Sequence, residues 1–357
     1  MVRVAIAMSG GVDSSVAAVL LKKQGYEVIG LHMKLYHGPE NVTHLKSCCS
    51  LDEAIDARAI CHNLNIPFYV LDYQKEFRES VIDYFVEEYS RGYTPNPCVM
   101  CNKKIKNNLL LRKLDELECD YLATGHYAKI HFNTLNQRLQ LVRPQDLRKD
   151  QTYFLHSIPA DDLHRMMFPL ADIIKPEVRN IAKKLNFSTA KKPDSQEICF
   201  VPKNYRNFLK QELNEDPEPG EFISISGKVL GKHLGLPFYT IGQRRGLGLS
   251  DSTPYYVVKI DKENNKIILG KENDLFSKTI FVSGVNWLSI SPPKEPLNVT
   301  VKLRYSHKGV AASVFPTSDN KVQLELDTPE RAVTPGQAAV FYQDKILLGG
   351  GWINDLS

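Results

Sequence analysis

Three short stretches of this chain carry side chains that could do chemistry. The first is Ser9-Gly10-Gly11-Val12-Asp13-Ser14-Ser15. Adjacent glycines permit a sharp turn and leave room for a ligand to approach the backbone. Ser9, Ser14 and Ser15 offer hydroxyl donors to phosphate oxygens, and Asp13 offers a carboxylate to a Mg²⁺ bridging those oxygens. The order is neither the Walker A pattern nor G-x-G-x-x-G. The second stretch is Cys98-Val99-Met100-Cys101, framed by Pro95 and Pro97, and the third is Cys199 within DSQEICF. A thiolate or persulfide is a good nucleophile toward an activated carbonyl carbon. In a reducing compartment a C-x-x-C pair points to metal binding or catalysis.

The surrounding pattern says how these residues are held. VRVAIAM (2–8) is a short apolar, β-branched run and predicts a buried strand, and VDSSVAAVLLKKQ has helical spacing. The glycines therefore lie at a strand-to-helix turn, where unpaired N–H groups and the positive end of the helix dipole converge. EVIGLHMKLY (27–36) predicts a second strand that places Met33 beside this loop, facing either a ligand ring or the core. Ser50 and Glu53 form a capping box for a helix reaching about Leu64, and IPFYVLD (66–72) is a third strand. Phe77, Val81, Tyr84 and Phe85 give 75–92 a helical period. The two prolines of TPNPCVMCN predict a surface loop, followed by a helix over 102–118. Lys103, Lys104 and Lys106 in that helix's first turn oppose its dipole and call for an anionic partner. CDYLATGHYAKI (119–130) reads as a fourth strand ending at Gly125-His126.

Strands alternating with helices predict an α/β doubly wound parallel sheet with its ligand at the C-terminal strand ends. A hairpin over 129–143, helical segments in KDQTYFLHS and FPLADIIKPEVRNIAKKLN with Pro176 near a helix start, and a loop KKPDSQEICF follow. Beyond the turn-rich NEDPEPG, short apolar runs predict an all-β texture closing as a small β-barrel. The expected domains are 1–208, 209–275 and 276–357.

The 357 residues are 43% hydrophobic and 24% charged, which is ordinary for a globular protein. No apolar run approaches membrane length, and the N-terminal one is too short for a signal peptide. A net charge of +4 permits a polyanionic partner without requiring one. Seven cysteines do not make a secreted disulfide framework, so a cytoplasmic setting is expected. Cys61 and Cys119 read as buried thiols, and a Cys₄ zinc site from Cys48, Cys49, Cys98 and Cys101 is awkward because adjacent cysteines chelate one metal poorly. Lys191, Lys192, Arg244 and Arg245 lie near the cysteine motifs or in the β region, either as phosphate contacts or as solvated surface.

SGGVDS resembles the SGGxDS pyrophosphate loop of enzymes that cleave ATP between its α and β phosphates. That loop alone leaves amide-forming, guanidine-forming and sulfur-inserting enzymes open, as well as an RNA-binding protein with a lapsed nucleotide fold. Eight blocks narrow the choice: SGGVDSS, TPNPCVMCNKKIK, ATGHYAKI, KDQTYFL, DSQEICF, YTIGQRRGLG, RYS at 304–306 and TPGQAAVFY. In this order, over residues 7 to about 342, they resemble the tRNA-specific 2-thiouridylase family. The resemblance implies an ATP site at Ala7, Met8, Ser9, Gly10, Gly11, Val12, Asp13 and Ser14, completed by Met33 and Gly125. It implies that the wobble uridine of tRNA enters beside Asn96, Pro97 and Cys98, with further tRNA contacts at His126, Lys149, Asp150, Gln151, Arg304, Tyr305 and Gln337. Cys199 matches the cysteine that receives sulfur as a persulfide from a sulfur-donor protein. Cys101 matches its partner, which resolves the persulfide through a transient Cys101–Cys199 disulfide or helps release sulfide. Some members have Asp where this chain has Cys98, and there the carboxylate can deprotonate the neighbouring cysteine; Cys98 does not supply that group. The thiols at 98, 101 and 199 could instead hold an iron–sulfur cluster with one iron open to sulfide.

Overall fold

The computed structural model describes residues 1–36, 51–194, 198–201, 204–213, 215–318 and 320–354. Its first layer is a parallel sheet built from β1 (Arg3–Ala7), β2 (Glu27–Lys34), β3 (Phe68–Asp72) and β4 (Tyr121–Ala123). A hairpin of β5 (Lys129–Asn133) and β6 (Arg138–Val142) follows, and β7 (Met166–Met167) returns to the sheet, giving the order β3-β2-β1-β4-β7. Alternation along β1 decides which helices cover which face. Val4, Ile6 and Met8 bury against α1 (Val12–Lys23), α2 (Leu51–Asn63) and the helix Lys175–Lys184. Ala5 and Ala7 face Phe77, Phe85, Ile105 and Leu110 of the two helical stretches on the other side. Both faces are covered, so the sheet is doubly wound. β1 pairs in parallel with β2 on one edge and β4 on the other. The chain therefore leaves β1 and β4 in opposite directions, opening a crevice at their C-terminal ends.

Local outcomes differ from expectation where tertiary contacts intervene. The fourth strand is only Tyr121–Ala123, the segment after Gln151 is one tight turn, Thr152–Leu155, and the later helix is confined to Lys175–Lys184. TPNPCVMCN is not a loop throughout. A continuous helix starts at Pro97 and runs through Cys101–Leu109, wound π-wide, to Glu116. Pro97 stands at the first helical position, where no N–H is required, and Asn96 Oδ1 accepts from Val99 N at 3.3 Å as the cap. The capping box at Ser50 and the pair Cys48-Cys49 lie outside the described residues.

The second half is all β. Strands β8 (Gly220–Ser224), β9 (Val229–His233), β10 (Tyr256–Asp261) and β11 (Lys266–Gly270) form a small sheet of order β10-β11-β8-β9. Then β12 (Phe276–Trp287), β13 (Leu297–Lys302), β14 (Val310–Ser318), β15 (Lys321–Arg331), β16 (Ala338–Gln343) and β17 (Ile346–Ile353) close into a barrel through the β12–β17 pairing. Inward residues such as Val282, Val301, Val314, Leu324 and Phe341 fill it. The β5–β6 hairpin forms as the sequence suggests, but its outer partner is β17, with Leu141 opposite Leu347. That pairing ties the barrel to the nucleotide-type layer. Among the described residues no helix is long and apolar enough to cross a membrane.

Candidate active site

At the end of β1, Gly10 adopts φ +70°, and a Cβ there would stand 2.4 Å from the Glu53 carbonyl oxygen, so only glycine fits. Gly11 is extended and is the N-cap residue of α1, and no side chain caps that helix. The first N–H groups of α1 therefore face the crevice with the dipole behind them. Ser9 is exposed, its hydroxyl 3.2 Å from that of Ser14. Ser14 and Ser15 differ from expectation: both are buried, and both hydroxyls donate to the Gly11 carbonyl, at 3.2 and 2.7 Å. They brace the turn rather than line it. Gly125 lies against the same turn, where a Cβ would come within 2.7 Å of Ser14 N. Met33 is 8% exposed and belongs to the apolar core beneath.

Asp13 is the hub of a charge network. Its carboxylate accepts from Tyr127 Oη at 2.9 Å and from Lys175 Nζ at 2.8 and 2.7 Å. Lys175, 6% exposed, also reaches Asp194 at 2.8 Å, and Asp194 is paired with Arg179 at 2.8 Å and Lys149 at 2.6 Å. Partial burial alone would raise the Asp194 carboxyl. Hydrogen bonds from Lys149 and Lys175, with their charges, outweigh it and hold the group at about 2. Lys192 reaches the Gly10 carbonyl at 3.4 Å and pairs with Asp56. Sequence reading missed Lys175, Asp194 and Tyr127. Pro176 marked the helix start, but nothing in the spacing set apart the lysine before it.

The thiols divide by environment. Cys61 is fully buried, which pushes it up to about 12, and burial also raises Cys119, so both stay protonated and inert, as their positions suggested. Cys98 is half-buried and Cys101 is 9% exposed, in the first turns of the Pro97–Glu116 helix. Asn102 Nδ2 donates to the Phe154 carbonyl at 3.3 Å and fixes that helix against the Thr152–Leu155 turn. Cys199, also half-buried, packs on the apolar cluster that contains Cys101. Its neighbour Phe200 stands edge-on to Phe77 and Phe85, at 5.7 and 5.3 Å between centroids.

The residues expected to meet RNA fall into two groups. Arg304 is exposed, and Tyr305 is 40% exposed, lying over Phe154 at 4.5 Å. Arg244 and Arg245 are exposed as well. The others have side chains engaged within the fold. Asp150, 7% exposed, accepts from Thr152 N and Oγ1 at 3.0 and 2.6 Å, and Gln151 Oε1 accepts from Tyr127 N at 2.9 Å. Gln337 Nε2 donates to the Thr94 and Pro95 carbonyls at 2.8 and 3.3 Å, so the barrel clamps the approach to Asn96. His126 Nδ1 pairs with Thr124 Oγ1 at 2.8 Å, and burial together with the Lys106 charge pushes the ring down to about 3, leaving it neutral.

Among the described residues no three His, Cys, Asp or Glu side chains gather closely enough to hold a metal. Asp13 offers one carboxylate, which suits a Mg²⁺ arriving on a nucleotide and held mainly by its phosphates.

A glycine turn feeding an uncapped helix at the switch point of this sheet defines an adenine-nucleotide-binding domain of the ATP-pyrophosphatase type, followed by a small β domain and a closed barrel. Family profiles match along the chain: a tRNA methyl transferase HUP domain over residues 2–203, a tRNA methyl transferase PRC-barrel domain over 206–271 and an aminomethyltransferase β-barrel domain over 277–353. The tRNA-specific 2-thiouridylase MnmA of Acetivibrio thermocellus is 45% identical over 354 residues, covering 98% of this chain and 99% of that one. The protein of the same description in Halothermothrix orenii is 47% identical over 355 residues, covering 99% of each. A solved 4-thiouridine synthetase in complex with RNA and ATP is 16% identical over 59% of this chain and 50% of that one, at a TM-score of 0.38, too distant to bear on function. The chain belongs to the tRNA-specific 2-thiouridylase family, whose members are sulfur-transferring enzymes.

Proposed function

We propose that this enzyme uses ATP to convert the wobble uridine of tRNA to 2-thiouridine. The base must leave its stack for its C2 oxygen to reach the nucleotide. That oxygen attacks the α-phosphorus and pyrophosphate departs, while the N–H groups opening α1 meet the charge that develops. Asp13 would hold Mg²⁺, whose role is to neutralise the phosphate oxygens. The terminal sulfur of a persulfide on Cys199, charged by a donor protein, then attacks C2 and AMP leaves with the C–O electron pair. Cys101 thiolate attacks Cys199 Sγ, so the S–S electrons pass to the product sulfur. A Cys101–Cys199 disulfide remains for an external dithiol to reduce.

The observation that carries this reading is that Cys101 lies in, and Cys199 packs on, the apolar core covering the Ala5–Ala7 face of a nucleotide-type sheet, in a chain matched end to end by 2-thiouridylases. An amino-acid ligase would share the loop but offers no role for these thiols. The test compares Asp13→Ala with Cys199→Ser. Asp13→Ala should abolish tRNA-dependent pyrophosphate release. Cys199→Ser should retain one turnover of it yet form no 2-thiouridine. Thiouridine formed by Cys199→Ser at the wild-type rate would sink the sulfur step, and pyrophosphate release indifferent to tRNA would sink the substrate.

A further inference from the structure

Further along the helix that carries Cys101, its side chains and the segment Ser157–Arg165 enclose a cleft of about 410 Å³. Asn107 lies six residues on from Cys101 in the same helix. Lys103, Lys104 and Arg112 line the cleft, are exposed, and among the described residues pair with no carboxylate. Partial desolvation of the ammonium beside the helix, and after it the Lys104 charge, lower the Lys103 group. Arg165 also lines it, anchored to Asp115 at 2.8 Å and to the Cys119 carbonyl at 3.3 Å. Asp162 is the one other acid there, so cations outnumber acids two to one.

A second observation is independent of charge. Asn107 is 2% exposed and Ser157 6% exposed, both residues line the cleft, and among the described residues Asn107 Nδ2 and Ser157 Oγ have no hydrogen-bond partner. Leaving a buried donor unsatisfied costs about 1–3 kcal/mol, so folded proteins keep few such groups. Nor is Ser157 loosely placed. Asn286 Nδ2 donates to the carbonyls of His156 and Ile158 on either side of it, each at 2.7 Å. Two orphan donors under a cationic rim suit a ligand with several acceptor oxygens and a negative charge.

We infer that this cleft seats one backbone phosphodiester of the bound RNA, with Asn107 Nδ2 and Ser157 Oγ donating to its non-bridging oxygens while Lys104 and Arg112 balance its charge. The inference rests on the tRNA reading above. It adds a phosphate anchor that positions the strand without reading its sequence.

The experiment uses the full chain and an anticodon stem-loop RNA, followed by fluorescence anisotropy across a salt series. Lys104→Ala and Arg112→Ala should each weaken binding about five- to tenfold and lower the slope of log K against log salt by about one. Ser157→Ala should weaken binding without lowering thermal stability, because it removes an unsatisfied buried group. MgATP binding without RNA should stay at the wild-type value in all three. Stem-loops carrying one neutral methylphosphonate linkage at a time then locate the phosphate. One linkage should cost the wild type about tenfold and cost Ser157→Ala or Asn107→Ala less than twofold. Wild-type RNA binding with no linkage coupled to either residue overturns this subsite alone. No RNA binding by the wild type overturns the tRNA reading, and this assignment with it.

Discussion

Lys175→Met tests whether the network around Asp13 exists to hold a nucleotide. Lys175 Nζ stands 2.7 Å from Asp13 Oδ2 and 2.8 Å from Asp194 Oδ1, which keeps those two oxygens within about 5.5 Å of one another. Without the ammonium two like charges face each other across that gap. At an effective dielectric near 20 their repulsion is about 3 kcal/mol. The two carboxylates are 30% and 28% exposed, so water screens part of it, leaving about 1.5 kcal/mol, or roughly tenfold in an equilibrium constant. Arg179 and Lys149 still pair with Asp194, but nothing replaces the ammonium at Asp13, so an incoming triphosphate meets one more net negative charge. Isothermal titration with MgATP at pH 8 should show the dissociation constant of Lys175→Met raised at least tenfold. Lys175→Arg, which keeps the charge, should stay within about threefold. MgATP binding by Lys175→Met equal to wild type at pH 8 would refute the reasoning, and the cation would then be a fold element only.

Gly125→Ala should lower MgATP affinity at least tenfold, since its new Cβ meets only backbone, with Ser14 N at 2.7 Å, and must displace the start of α1; unchanged titration curves would argue that the turn yields freely. Asn96→Ala removes the cap below Cys98 and should cost about 1 kcal/mol, with faster hydrogen exchange at the Val99 amide, which now donates to Asn96 Oδ1; unaltered exchange there would exclude the cap. Asp194 sets an acid limit. Its carboxyl is at about 2 in the folded protein against roughly 4 in an unfolded chain, so its stabilisation is complete above pH ~4 and fades as pH falls through about 2. The Tm gap between wild type and Asp194→Asn should accordingly hold from pH 8 to 5 and narrow below 4, and a gap independent of pH would show that the charge contributes nothing.

Much of this protein is written in short windows of sequence. The β1–turn–α1 unit follows from an apolar run, two glycines and a helical period lying side by side, and the barrel from short alternating runs broken by turns. Cys98, Cys101 and Cys199 stood out by residue type and by the company they keep. Other features depended on contacts between distant positions. Asn96 and Pro97 turned an expected loop into a helix start because the cap bond and the position of the ring matter more than the count of prolines. The hairpin β5–β6 was legible as a hairpin, but not its docking on β17. Asp150, Gln151 and Gln337 turn their polar atoms inward because the folded surroundings supply their partners. Lys175 meets Asp13 across 162 residues of chain, with no period or propensity linking the two positions. Helix and strand formation obeys neighbours a few residues away, so sequence by itself determined the elements and the reactive residue types. Ion pairs and buried hydrogen bonds depend on distance in space, so only the tertiary structure decided which charges surround Asp13 and which polar side chains remain available to a ligand.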